Sequence, residues 1–137
     1  MRYGVLYDIA TNIWAGQAVD LSMGHVNVVW QGDANAQALR ALCHCTTPHS
    51  ALNVTGPEVV AISWLAKEFA ERFGKEVMLK GEPAQEAWLI NTAKAESLFG
   101  YPMISLLQMV DWVAEWVAGD GASRGQPTHF EVRDGNY

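Results

Sequence analysis

The residues whose types are best suited to chemistry lie close together, between Cys43 and His49. Cys43, His44 and Cys45 are consecutive, and His49 follows a few residues later. Thiolates and imidazoles are ligands that zinc prefers, so this group is a candidate metal site. Its spacing fits none of the common zinc patterns, and the sequence has no second ligand pair downstream. The spacing therefore favours the alternative, which is buried or partly buried thiols at a helix end, and we predict no metal.

The composition indicates one globular domain with a sizeable core. The chain has 137 residues, of which 50% are hydrophobic and six are tryptophan. A net charge of −6 and a pI of about 5.0 argue against a nucleic-acid-binding surface, which needs clustered Lys and Arg. No apolar run approaches the roughly 20 residues of a membrane span. The first residues, MRYGVLYDIA, do not have the architecture of a signal peptide. We therefore expect a cytoplasmic protein that binds neither nucleic acid nor membrane.

The elements that must position any functional side chain can be organised around residues 51–74. Residues 51–54 are predicted to form a short strand, and Gly56 begins the break after it because glycine tolerates a positive φ in a turn. Ser63 is a predicted N-cap, and the amphipathic helix that follows it is expected to end at Gly74. A strand, a turn and an amphipathic helix in this order indicate an α/β unit.

Apolar periodicity and turn residues predict the remaining elements. Asp33 is a predicted N-cap, and Ser105 with Gln108 forms a capping-box pattern. Residues predicted to form the buried stripe of the helix after Asp33 are Ala38, Leu39, Leu42 and Cys43. We predict an α/β fold of about five helices and two to four short strands, with further helices over 3–15, 34–45, 93–99 and 106–118, and strands over 19–21, 26–30 and 76–80.

Several of these segments, in this order, resemble a known family. They are VNVVWQGDANAQAL, then ALNVTGPE with a Ser-capped helix, then NTAKAESLFGYP and a Trp-containing helix. The order is similar to that of the C-terminal half of the NAD(P)-dependent epimerase/dehydratases, which are extended short-chain dehydrogenase/reductases. In that family a strand ends in an Asp that opens a helix, and Asp33 occupies that place. The resemblance extends over about residues 2–118.

The resemblance implies the C-terminal portion of a Rossmann-type fold, with a substrate-binding half over residues 1–118 and a polar tail over 119–137. It also implies NAD(P) as the cofactor of the complete family enzyme. The sequence has no Gly-rich turn after a strand, which a dinucleotide site needs. It also has no Tyr four residues before a Lys, the family's catalytic pair. We therefore expect this chain alone to hold no cofactor-binding and no catalytic residues.

Three residues are candidates for substrate contact because the family's strand faces its substrate cleft at their positions. They are Asn27, Trp30 and Gln31. The alternative, favoured by the usual burial of Trp, is that Trp30 belongs to the core and the other two are ordinary outward residues. The resemblance places Arg2 and Tyr3 just after the strand that ends near the nicotinamide. Because these two residues lie at a chain terminus, we expect them to be frayed.

The matching positions also bear on the substrate. Family members that act on nucleotide-diphospho sugars often carry Arg in two regions that correspond to residues 25–28 and 81–86, and neither region contains an Arg here. A diphosphate without a bidentate cation is bound weakly, so a smaller or less anionic substrate, sugar-like or a hydroxy acid, suits these residues better.

Three functional hypotheses follow. The first is the substrate-binding region of an epimerase/dehydratase-like oxidoreductase that is inactive alone and acts on a small molecule. The second is a non-catalytic interaction module derived from that fold, which dimerises through exposed apolar surface. The third is the metal protein described above. For partners, we expect either a second copy of the chain or a missing N-terminal Rossmann half.

Overall fold

The computed structural model describes residues 2–85, 87–126 and 128–132. Over these residues the chain forms an α/β fold of five α-helices and four two-residue strands, which confirms the predicted fold class. A short 3-10 helix, Leu42–His44, follows the second helix. The helices are α1 (Val5–Trp14), α2 (Gln31–Ala41), α3 (Ile62–Phe73), α4 (Ala93–Phe99) and α5 (Leu106–Ala118), and the strands are β1 (Val19–Asp20), β2 (His25–Val26), β3 (Val60–Ala61) and β4 (Leu79–Lys80).

The strands form two small sheets. β1 runs parallel to β4, and β2 runs antiparallel to β3. The carboxylate of Asp20 accepts the backbone N–H of Ser22 at 2.8 Å, and hydrogen bonding from Ser22 lowers the pKa of Asp20. The strand predicted over residues 51–54 is absent, because these residues have no neighbouring strand to pair with. Asn53 instead uses its side chain, which donates to the carbonyl oxygen of Asn91 at 3.2 Å.

The core lies between α1, α3 and α5, which pack against one another. Their apolar faces supply the most deeply buried large side chains, including Ile9, Ile13, Leu65, Phe69 and Val110. Leu65 and Phe69 lie four residues apart and therefore share one face of α3, as expected for the amphipathic helix predicted there. None of the helices in the described residues combines the length and apolar character that a membrane crossing requires.

The helix ends follow the sequence signals in part. Gly74 ends α3 in the left-handed conformation, and Ser105 caps α5 by accepting the backbone N–H of Gln108 at 3.3 Å, as predicted. Ser63 is not an N-cap, because α3 begins at Ile62 and the extended residue before it is Ala61. β3 leads directly into the helix there, which leaves Ser63 inside the first turn.

Asp33 is also not an N-cap. α2 begins at Gln31, after the extended residue Trp30, so Asp33 lies in the first helical turn. Its buried carboxylate accepts the backbone N–H of Ile104 at 3.0 Å, which joins α2 to the segment before α5. An acidic side chain in a first turn is also stabilised by the helix macrodipole.

The predicted apolar stripe of this helix is wrong. Leu39 and Leu42 are 69% and 68% exposed, whereas the buried residues of α2 are Asp33 and Gln37. The helix docks through polar contacts instead of an apolar seam. Arg40 donates to the carbonyl oxygen of Phe99 at 3.0 Å, and its guanidinium lies 4.9 Å from the centre of the Phe99 ring.

The tail after α5 folds back onto the helices. The indole N–H of Trp116 donates to the carbonyl oxygen of Ala122 at 3.3 Å. The backbone N–H and the hydroxyl of Thr128 both donate to the carboxylate of Asp8 on α1, the former at 2.9 Å. Phe130 packs against the core. Residues 133–137 of the predicted polar tail lie outside the described residues.

Candidate functional site

A cleft of about 770 Å³ opens beside the start of α1. Residues 2–7 form one side, residues 27–31 form another, and two α5 side chains, Met109 and Val113, also line it. Thr55 and Arg124 complete the lining. Apolar and polar residues contribute about equally to its lining, and its volume falls within the range of small-molecule sites.

All three side chains predicted for substrate contact line this cleft. Asn27 is held by two hydrogen bonds to other loops. Its side-chain oxygen accepts the backbone N–H of Ile90 at 2.8 Å, and its amide nitrogen donates to the carbonyl oxygen of Glu58 at 3.1 Å. Asn27 therefore fixes the wall of the cleft, and its part in substrate contact stays a prediction.

Trp30 is 37% exposed, so the alternative that places it in the core is wrong. Its ring packs edge-on against Trp112, with 5.9 Å between ring centres, and it covers Gly32. A Cβ on Gly32 would lie 2.1 Å from the Trp30 ring, so a side chain there would displace the indole. Gln31 is exposed at the first position of α2. Trp30 and Gln31 thus both contribute to the lining of the cleft.

A close backbone approach holds another part of the wall. Gly56 is buried against Val28, and a Cβ on Gly56 would lie 1.8 Å from the Val28 carbonyl oxygen. The φ of Gly56 is not positive, so this glycine is required by space and not by the turn conformation that the sequence suggested. The contact places Thr55 beside Val28 on the cleft.

Sequence reasoning missed the contribution of Arg2, Tyr3 and Arg124. The expectation of a frayed terminus is wrong, because the carbonyl oxygen of Arg2 accepts the backbone N–H of Arg124 at 3.0 Å. The Arg124 guanidinium lies 5.6 Å from the centre of the Tyr3 ring. The resemblance did place residues 2 and 3 near the reaction centre. No local signal identifies Arg124, because its position depends on the fold of the tail.

The described lining contains two guanidinium groups and two phenols, but no carboxylate, imidazole, thiol or amine. These side chains can bind and orient a polar molecule.

The candidate metal ligands do not form a site. In the described part of the chain, which includes residues 43–49, no three Cys, His, Asp or Glu side chains lie close enough to hold a metal. The described residues therefore give the third hypothesis no geometric support. Cys43 and Cys45 are both exposed, so the expectation of buried thiols is also wrong. His44 instead packs edge-on against Phe99, with 5.6 Å between ring centres.

The glycines nearest to a dinucleotide pattern do not fit a pyrophosphate. Gly119, Gly121 and Gly125 follow a helix and not a strand. The indole of Trp116 covers Gly121, where a Cβ would lie 2.3 Å from the ring. A phosphate cradle needs open backbone N–H groups at the start of a helix. Gly121 therefore does not offer the open backbone of a phosphate cradle.

Comparison with known proteins gives structural neighbours. No protein-family model matches the chain, and no curated protein matches it. The chain is similar to the Bordetella bronchiseptica enzyme WbmG in complex with NAD, with a TM-score of 0.68, 17% identity, and coverage of 93% of this chain and 42% of that one. It is also similar to the UDP-glucose 4-epimerase of Thermus thermophilus in complex with NAD, with a TM-score of 0.66, 16% identity, and coverage of 87% of this chain and 42% of that one. A UDP-galactose 4-epimerase has a TM-score of 0.63 and 21% identity, with coverage of 88% of this chain and 41% of that one.

The chain spans about two fifths of the length of these solved structures. That share agrees with the predicted resemblance to the C-terminal part of such enzymes. At these identities the likeness establishes the fold. This chain has the α/β fold of part of a Rossmann-type epimerase of the extended short-chain dehydrogenase/reductase kind.

Proposed function

We propose that this chain is the substrate-binding region of an NAD(P)-dependent epimerase/dehydratase-like oxidoreductase and is inactive by itself. The observation that carries the proposal is the cleft. The chain shares its fold with part of several epimerases, and Asn27, Trp30 and Gln31 line one concave site within it. In the complete enzyme, NAD(P) would supply hydride transfer at a carbinol carbon of a sugar-like or hydroxy-acid substrate. The cofactor site and the Tyr/Lys pair would come from a further Rossmann half.

The proposal predicts that the isolated chain binds a sugar-like compound but not the cofactor. D-glucuronate is expected to shift backbone NMR resonances of residues 2–7 and 27–31, whereas NADH and NADPH leave the spectrum unchanged. Trp30→Ala should weaken D-glucuronate binding about tenfold, because it removes an aromatic wall of the cleft.

The matched control is Trp64→Ala. Trp64 is 38% exposed, close to the value for Trp30, but lies on α3 outside the cleft, so its loss should leave binding unchanged. Cofactor binding or turnover by the isolated chain would contradict the proposal. So would a response to D-glucuronate confined to residues away from the cleft.

A second function is favoured by the outer face of α2. Leu39 on α2 and Leu42, the first residue of the following 3-10 helix, lie three residues apart, and both are more than two-thirds exposed. Exposed apolar side chains of this kind mark interaction surfaces. The second proposal is therefore a non-catalytic module that dimerises through this face.

Dimerisation predicts a specific result in sedimentation or size-exclusion measurements. The chain should associate reversibly, and Leu39→Lys should shift it to the monomer because a charge cannot be buried in an apolar interface without a large cost. Val59→Lys is the control, since Val59 is 58% exposed and lies outside α2. A strictly monomeric chain at high concentration would exclude this function.

A further inference from the structure

Two arginines, Arg2 and Arg124, line the cleft without an acidic partner. Within the described residues, neither Arg2 nor Arg124 has a carboxylate oxygen within 4.0 Å. The chain as a whole is acidic, with 15 Asp and Glu against 9 Lys and Arg. None of the acidic residues that the structure describes lines the cleft. The cleft is therefore a positively charged site in a negatively charged protein, and such a site attracts anions.

The two arginines are brought together by the fold. The backbone hydrogen bond from Arg124 to Arg2 joins the tail to the start of the chain at 3.0 Å. The Arg124 guanidinium lies over the Tyr3 ring, a cation–π contact that limits its orientation. Thr128 anchors the following part of the tail to Asp8. Because the bond between Arg2 and Arg124 uses backbone atoms, a change of the Arg124 side chain leaves it in place.

The first turn of α1 adds to the same potential. Residues 4–7 line the cleft, and the first N–H groups of a helix have no acceptor within it. Gly4, at the N-cap, has no side chain with which to cap them. Asp8, in the same turn, accepts hydrogen bonds from Thr128 and does not line the cleft, so it offsets this partial positive charge only in part.

We infer that the cleft selects a substrate that carries a carboxylate, bound by Arg2 and Arg124, with its neutral hydroxyl groups facing Gln31 and Thr55. A guanidinium matches a carboxylate with two parallel N–H bonds, which a neutral sugar cannot accept in the same way. The remaining polar side chains of the cleft are uncharged, which suits a molecule with one anionic end. This inference rests on the proposed function and narrows its substrate class to sugar-like hydroxy acids.

The test compares three probes on the full 137-residue chain by NMR titration. D-glucuronate and D-glucose differ in the carboxylate, and UDP offers a diphosphate without a hexose. D-glucuronate should bind about tenfold more tightly than D-glucose, the effect of about one charge-assisted pair. Arg124→Gln should remove most of this difference, and Arg124→Lys should restore it in part because it keeps the charge without the fork. Lys67→Gln removes one exposed positive charge outside the cleft and should change nothing.

The outcomes separate the inference from the function on which it rests. Equal binding of D-glucuronate and D-glucose in the cleft overturns the carboxylate inference and leaves the proposed function standing. Equal effects of Lys67→Gln and Arg124→Gln also overturn it, because the preference would then reflect net charge. Binding of UDP without binding of D-glucuronate assigns the arginines to a diphosphate and overturns it as well. If no sugar shifts the cleft resonances, the proposed function fails first.

Discussion

Replacement of Gly56 by Ala is expected to lower the free energy of unfolding by about 3 kcal/mol, at the upper end of the usual cost of overpacking. A Cβ at this position would lie 1.8 Å from the Val28 carbonyl oxygen and 2.9 Å from its carbonyl carbon. These are backbone atoms, so no side-chain rotation relieves the clash, and the two segments must separate. Thermal unfolding should show a midpoint lower by about 10 °C.

The matched control is Gly16→Ala. Gly16 has a φ of 67°, and a Cβ added to it would meet no atom within 4 Å, so only the left-handed strain of about 1 kcal/mol applies. Val28 and Thr55 line the cleft, so Gly56→Ala should also shift NMR resonances there, whereas Gly16→Ala should not. An unchanged free energy of unfolding in Gly56→Ala would show that the backbones at Gly56 and Val28 do not approach each other as closely as described.

Replacement of Phe69 by Ala is expected to cost about 4 kcal/mol. Phe69 is 0% exposed in the core formed by α1, α3 and α5, and its ring stacks on Phe73 with 6.2 Å between ring centres. Its loss removes buried apolar surface and leaves a cavity that the three helices can fill only in part. Since the free energy of unfolding of a small domain is about 5–15 kcal/mol, this cost is a large share of the total stability.

Urea unfolding measures this effect, provided that the dependence of the free energy on urea concentration is unchanged. Phe69→Leu keeps most of the volume and should cost about 1 kcal/mol. Because Phe69 does not line the cleft, any Phe69→Ala protein that remains folded should bind D-glucuronate as the parent does. A cost below about 1 kcal/mol for Phe69→Ala would show that the packing of α3 differs from the one described.

Local signals in the sequence determined the helices well. α4 coincides with its predicted bounds, and the Ser105 cap and the Gly74 end are where the residues predicted them. Caps and helical faces depend on hydrogen bonds and side-chain spacing within a few residues. The ordered segments also indicated the epimerase-like fold, because their order along the chain is itself sequence information.

The predictions failed where contacts between residues far apart in the sequence decide which face is buried or which segment pairs. The apolar residues of α2 predicted a buried stripe, but hydrogen bonds from Ile104 to Asp33 and from Arg40 to Phe99 turn the polar face inward. Residues 51–54 have the composition of a strand, but a strand forms only when another one pairs with it. Neither outcome can be derived from a window of a few residues.

The candidate site was partly visible in the sequence, since Asn27, Trp30 and Gln31 follow from the family pattern and all line the cleft. By itself the sequence determined that the helices form, some of their ends, and one side of this site. The tertiary structure decided the rest, namely the packing of Trp30 against Trp112 and the arrival of Arg124 beside Arg2. The physical reason is that charge and shape in a cleft depend on contacts between segments far apart in the sequence, which packing brings together.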